Sequence, residues 1–126
     1  MYITGAKHFI IDFWEVKNFL YYKETKILVS RIKAILKLLD NTYLEHQIHR
    51  FENNSYSASF LISESHLSLH TWPEYNYIGF DFYTCNKSID TDKTIELLKE
   101  LFGSPKMNIM VIDRGESKFN VKHIKK

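Results

Sequence analysis

The eleven residues from Glu64 to Glu74, ESHLSLHTWPE, gather two carboxylates, two imidazoles and two serine hydroxyls, and the only thiol of the chain, Cys85, follows twenty residues after Ser65. His46, His49, Phe51 and Ser57 lie shortly upstream. Such groups suit nucleophilic and proton-transfer chemistry. A neutral imidazole with an ordinary pKa of ~6.5 can accept a proton near neutrality, which serine or threonine at position 70 could not. Taken singly, each residue also has a plain structural reading. A lone cysteine packs as a small hydrophobe, His70 reads as a hydrogen-bonded sheet histidine, Ser65 as a strand-edge serine and Phe51 as core. A metal site drawn from His66 and His70, with His46, His49 and Cys85, is opposed by spacing. On a strand the first two would share a face but stand ~13 Å apart, too far for one zinc. No metal is expected.

The elements that must hold these residues are legible from periodicity. Ala6 to Trp14 alternates, with Phe9, Ile11 and Phe13 against His8, Ile10 and Asp12, as in a half-buried strand. From about Thr25 to Leu39, Leu28, Ile32, Ile35, Leu36 and Leu39 recur at helical steps, and Asp40-Asn41 ends the run. Thr42 to Phe51 and Tyr56 to Ser63 read as an antiparallel pair joined by the turn Glu52-Asn53-Asn54-Ser55. His66 to His70 alternates, Leu67 and Leu69 against His66, Ser68 and His70, until Pro73 interrupts it. Tyr77 to Cys85 resumes the alternation, with Ile78, Phe80 and Phe82 toward the core and Asp81 and Tyr83 opposite. A second helix spans Thr91 to Phe102, capped by Asp90 or Thr91 and stopped by Gly103 and Pro105. Met107 to Asp113 is a last strand, and Glu116 onward a polar tail with no assigned structure. This order predicts an α+β two-layer sandwich, a mainly antiparallel sheet covered on one face by two helices, whose other face needs a partner or water.

Composition narrows the class. At 126 residues, 44% hydrophobic and 25% charged, the chain reads as one globular domain, residues 1–126. A net charge of +2 with a single C-terminal cluster, Lys122, Lys125 and Lys126, argues against a nucleic-acid surface. No apolar run approaches the ~20 residues of a membrane helix, and one cysteine cannot form an intramolecular disulfide. The expectation is a soluble cytoplasmic protein.

ESHLSLHTWPE closely resembles the processing site of the S-adenosylmethionine decarboxylases, short proenzymes that cut themselves and convert the serine at the cut into a pyruvoyl group. The resemblance runs from about Ala6 to Asp113 and includes HRF at His49 to Phe51. It implies cleavage of the Glu64–Ser65 bond into chains 1–64 and 65–126, with a pyruvoyl cofactor made from Ser65. It further implies His70 as the base of processing, Ser57 as a donor to the tetrahedral species, and Cys85 as the proton donor after carbon dioxide leaves a Schiff-base adduct. Phe51 would stack on the substrate's adenine, Glu74 would bind its ribose hydroxyls, and Trp72 would shape the pocket wall. The product would be the aminopropyl donor for spermidine synthesis. The family's short members are dimers, so Ser65 and Cys85 of one protomer would face Phe51, Ser57, His70 and Glu74 of the other. One stretch departs from the pattern: where the family shows PxGxSG, this chain has NNSYSA, Asn53 to Ala58, replacing both glycines with bulkier residues. Relatives with the same cleavage chemistry act on arginine or ornithine, which keeps those substrates open as an alternative. A non-enzymatic alternative is an uncleaved regulatory subunit.

Overall fold

A single antiparallel sheet organises the chain. The computed structural model describes residues 5–18 and 24–126. In chain order the elements are β1 (Ala6–Trp14), α1 (Thr25–Leu38), β2 (Tyr43–Arg50), β3 (Tyr56–Ile62), β4 (Ser65–Trp72), a short 3₁₀ turn (Pro73–Tyr75), β5 (Tyr77–Thr84), α2 (Thr91–Phe102), β6 (Lys106–Arg114) and β7 (Asn120–Lys125). The strands run β2-β3-β4-β5-β1-β6-β7, every pair antiparallel. The expected α+β sandwich is therefore observed, with a purely antiparallel sheet.

Alternation decides which face meets the helices. Phe9, Ile11 and Phe13 of β1, Leu67 and Leu69 of β4, and Ile78, Phe80 and Phe82 of β5 are all buried in one cluster. Leu28, Ile32, Ile35 and Leu36 of α1 and Ile95, Leu98, Leu101 and Phe102 of α2 join the same cluster. Both helices thus cover one face. Burying each such side chain contributes about 1.5–3 kcal/mol as an upper estimate, so the aliphatic stripe, more than helix propensity, holds α1 in place. The Asp90 side chain caps α2 by accepting from the Lys93 N–H at 3.1 Å, and Gly103 ends it with φ 57°. Glu24, by contrast, makes no side-chain cap at the start of α1.

The C-terminal tail is not structureless: β7 pairs with β6 from Asn120 to Lys125. Its signal is faint because only Val121 and Ile124 are apolar among lysines, a composition that suits an edge strand guarded against further pairing.

Among the described residues, no helix covers the opposite face of the sheet. Across it run His8, Ile10, Asp12 and Trp14 of β1, beside Tyr83, Asp81, Gly79 and Tyr77 of β5 and His66, Ser68, His70 and Trp72 of β4. The Tyr77 hydroxyl donates to Asp12 Oδ1 at 2.5 Å, and its ring lies between those of Trp14 and Trp72, with centroids 4.3 and 5.2 Å away. Burial, followed by the hydrogen bond to Asp12 and that carboxylate's charge, pushes the Tyr77 phenol up to about 12. A phenol that holds its proton longer in the folded state stabilises the protein below the unfolded pKa of 10.0 and loses that contribution as pH rises toward 12. Chemical denaturation between pH 9 and 12 should therefore show stability falling with pH in the wild type. The fall should be shallower in Tyr77→Phe; identical slopes would contradict the assignment.

Candidate active site

The residues singled out by sequence fall into two groups at opposite ends of β4. Its burial alternates from Ser65 onward, with Ser65, Leu67, Leu69 and Thr71 inward and His66, His70 and Trp72 exposed. Ser65 and His70 therefore point to opposite faces, and at ~3.3 Å per residue they stand ~16 Å apart along the strand.

The first group surrounds the β3–β4 hairpin. Ile62 pairs directly with Ser65, so Ser63 and Glu64 form a two-residue turn and the Glu64–Ser65 peptide joins the turn to the strand. The Cys85 backbone N–H donates to Ser65 Oγ at 3.0 Å, and the Cys85 thiol donates to the Glu64 carbonyl oxygen at 3.5 Å. One residue thus touches both the hydroxyl and the carbonyl of that peptide. A groove of about 220 Å³ opens here, lined by Ser63, Glu64, Ser65, Cys85 and Asn86 on one side and Asp40 to Thr42 on the other.

Cys85 is held by a polar network. The buried Thr84 hydroxyl donates to Asn41 Oδ1 at 2.8 Å and accepts from the Asn86 N–H at 3.1 Å. Asn86 Nδ2 in turn donates to the Leu39 carbonyl at the end of α1 at 2.8 Å, a carbonyl that also accepts from Asn41 Nδ2 at 2.9 Å. Tyr83 lies two residues before Cys85. Its interaction with the Cys85 side chain, then partial burial, raises the Tyr83 phenol above its usual range, while Arg114, 4.3 Å from its ring, opposes the shift.

The second group forms a groove of about 570 Å³, within the range of small-molecule sites. Phe51, Ser57, His70, Trp72 and Glu74 all line it, together with Asn53 and Ser55. Register brings Ser57 opposite His70 across β3 and β4, and Ser57 Oγ lies 2.7 Å from His70 Nδ1. With Nδ1–H donating to Ser57, the tautomer leaves Nε2 free to accept a proton. The Thr71 hydroxyl accepts from the Tyr56 N–H at 3.0 Å and locks this end of the pairing. Glu74 sits on the 3₁₀ turn that Pro73 opens, and Asn76, at φ 50°, closes it. Phe51, half exposed, packs edge-on against His49 at 4.7 Å. Among the described residues no cluster of three or more His, Cys, Asp or Glu is arranged to hold a metal ion, and no helix is long and apolar enough to cross a membrane.

Two groups of candidate residues thus share one strand. A family model described as S-adenosylmethionine decarboxylase matches residues 7–115. A Clostridium botulinum (strain Loch Maree / Type A3) protein named S-adenosylmethionine decarboxylase proenzyme is 37% identical over 109 residues, spanning 86% of this chain and 93% of the relative. The chain belongs to the S-adenosylmethionine decarboxylase family. A Thermotoga petrophila proenzyme of the same name is 29% identical over 110 residues, covering 87% of this chain and 84% of its own. In fold, the adenosylmethionine decarboxylase crystal structure from Aquifex aeolicus matches with a TM-score of 0.77 at 20% identity, covering 93% of this chain and 98% of that one. A Trypanosoma brucei decarboxylase monomer matches with a TM-score of 0.61 at 11% identity, and there 84% of this chain covers 45% of the other.

Within this family member, three contributions went unread in the sequence. Tyr83 could have been found from its place two residues before Cys85, at the end of β5. The Asn41, Thr84 and Asn86 network and the contact of Asn53 with Glu74 are tertiary, and nothing local announces them. The network is testable through stability. Thr84→Val keeps the shape but leaves Asn41 Oδ1 and the Asn86 N–H without their partner, so urea unfolding should lose about 1–3 kcal/mol at unchanged m-value. A loss below about 0.5 kcal/mol would show that the network does not anchor the Cys85 segment.

Proposed function

We propose that this protein is a self-processing, pyruvoyl-dependent S-adenosylmethionine decarboxylase that works as a homodimer and supplies the aminopropyl donor for spermidine synthesis. The observation that carries the reading is the double contact of Cys85 with Ser65 Oγ and the Glu64 carbonyl oxygen. Attack of Ser65 Oγ on the Glu64 carbonyl carbon converts the amide into an ester and frees the Ser65 nitrogen. The thiol is positioned to stabilise the oxygen on which charge develops. A base then removes the Ser65 α-proton, the ester C–O bond breaks, Glu64 leaves as a carboxylate, and the dehydroalanine takes up water and releases ammonia. His70 is the base, its ring oriented by Ser57.

The groove beside Ser65 and Cys85 suits the group this produces. Once formed, the pyruvoyl group supplies the carbonyl that serves as electron sink for decarboxylation. The chain's own residues do the rest. Phe51 and Trp72 offer flat apolar walls to an adenine, Glu74 accepts from ribose hydroxyls, and Cys85 returns a proton to the substrate carbon.

The separation of the two groups supports homodimerisation. His70 of the same chain is ~16 Å from Ser65 on the other face of β4, whereas His70 of a second copy has no such constraint. The uncovered sheet face offers a surface for that copy, with Ile10, Trp14, Leu61, Trp72 and Val121 exposed upon it. A lone free thiol is in keeping with a reducing, cytoplasmic setting.

Intact mass spectrometry tests the reading. Purified wild type should give two fragments, 1–64 and a second beginning at position 65 and blocked at its N-terminus, while Ser65→Ala stays whole. Cys85→Ala should cleave, if more slowly, yet lose roughly 100-fold or more in turnover. Carbon dioxide release should favour S-adenosylmethionine over arginine and ornithine. A stable full-length wild type, or preference for either amino acid, would contradict the proposal.

A further inference from the structure

Glu74 has a partner that the family's sequence pattern does not supply. Asn53, on the turn between β2 and β3, donates from Nδ2 to Glu74 Oε2 at 3.0 Å across twenty-one residues of chain. The other half of the same amide is also engaged, since Asn53 Oδ1 accepts from the Ser55 N–H at 3.2 Å and from the Ser55 hydroxyl. Two donors on Oδ1 fix the amide's orientation, because a flipped group would present its own N–H to both. Asn53 therefore faces Glu74 as long as the turn is intact.

Both supports are themselves held. The Phe51 N–H donates to the Ser55 carbonyl at 2.9 Å, and Asn54 takes the left-handed conformation at φ 66°, one of the residue types that tolerate it. On the other side, the Asn76 N–H donates to the Pro73 carbonyl at 3.1 Å and closes the turn that carries Glu74. A chain of hydrogen bonds thus runs from Ser55 through Asn53 to Glu74 along the wall of the larger groove. It leaves Glu74 Oε1 without a donor among the described residues.

Asn53 stands at the position where the family's usual stretch, PxGxSG, has proline. A pyrrolidine ring can neither donate to Glu74 nor accept from Ser55. The replaced turn accordingly does more than narrow the groove. An exposed carboxylate on a short turn would otherwise sample several rotamers, each holding a diol poorly. A pinned one presents its free oxygen in one place, which suits the paired hydroxyls of a ribose better than an ammonium that can approach from any side.

We propose that Asn53 is a positioning residue for Glu74, and that the hydrogen-bond chain from Ser55 through Asn53 makes the groove selective for ligands bearing a ribose diol. This rests on the reading of Glu74 as the ribose-binding acid in the proposed function. The test pairs protein variants with ligand variants. With cleaved wild-type protein, adenosine should compete with S-adenosylmethionine more strongly than 2′,3′-dideoxyadenosine does. Asn53→Ala should raise the KM for S-adenosylmethionine and the adenosine inhibition constant about fivefold, the loss of one hydrogen bond, with kcat within about twofold and dideoxyadenosine binding unaltered. Asn53→Asp keeps an acceptor for Ser55, and hence the turn, but sets a like charge against Glu74. It should lose about tenfold or more for adenosine alone. Equal weakening of both nucleosides by Asn53→Ala, or wild-type affinity for adenosine in Asn53→Asp, would overturn the role of Asn53. Wild type that turns over S-adenosylmethionine without distinguishing the two nucleosides would overturn the ribose role of Glu74, and wild type inactive on S-adenosylmethionine would overturn the proposed function itself.

Discussion

The alternation of β4 is the constraint on which the site depends. Successive side chains of a strand point to opposite faces, so an odd separation places Ser65 and His70 on different sides whatever their rotamers. Leu67 and Leu69 between them, and Thr71 just beyond, are buried and fix which side is which. A one-residue slip would bury His66 and His70 and expose the leucines, so the core itself enforces the register. The hydroxyl beside the Glu64–Ser65 bond and the Ser57–His70 pair are thereby anchored to one rigid strand and kept from meeting within it.

The rest of the sheet extends this one-sided design. Its inner face is closed by α1 and α2, while the outer face mixes ordered polar contacts with apolar surface. His8 Nε2 lies 2.5 Å from Asp81 Oδ1, Arg114 reaches His8 at 3.2 Å, and Tyr77 holds Asp12. Half-exposed pairs of this kind contribute little to stability in water. They gain strength where a second surface excludes solvent. Trp14 and Trp72 flank Tyr77 on the same face, and Gly79 leaves room beside them, since a Cβ there would come within 3.1 Å of the Tyr77 hydroxyl oxygen. A face of this kind is arranged from within the chain itself.

Much of this was legible in the sequence, for physical reasons. The expected strands and helices match to within one or two residues at each end, because two-residue and helical periodicities are strong where one face is buried. The clustering of Phe51, Ser57, His70, Trp72 and Glu74 follows from a motif whose spacing a hairpin converts into proximity. Placement of β1 between β5 and β6 was not legible, since pairing partners so distant in sequence leave no local mark. Nor was β7, whose lysine-rich run hides Val121 and Ile124. The departure of NNSYSA from the family's stretch was visible as a replacement of glycine, yet its consequence lies at Asn53, and only the fold brings that amide to Glu74.

The central claim is that the two half-sites are completed between copies, and a mixed-copy experiment tests it most directly. Ser65→Ala and His70→Ala chains, distinguishable by mass, should each remain uncut when expressed alone. Expressed together, the His70→Ala chain should be cleaved after Glu64, using the histidine of its Ser65→Ala partner, while the Ser65→Ala chain stays whole. Absence of cleavage in the mixture, or efficient cleavage of the His70→Ala chain alone, would contradict the account.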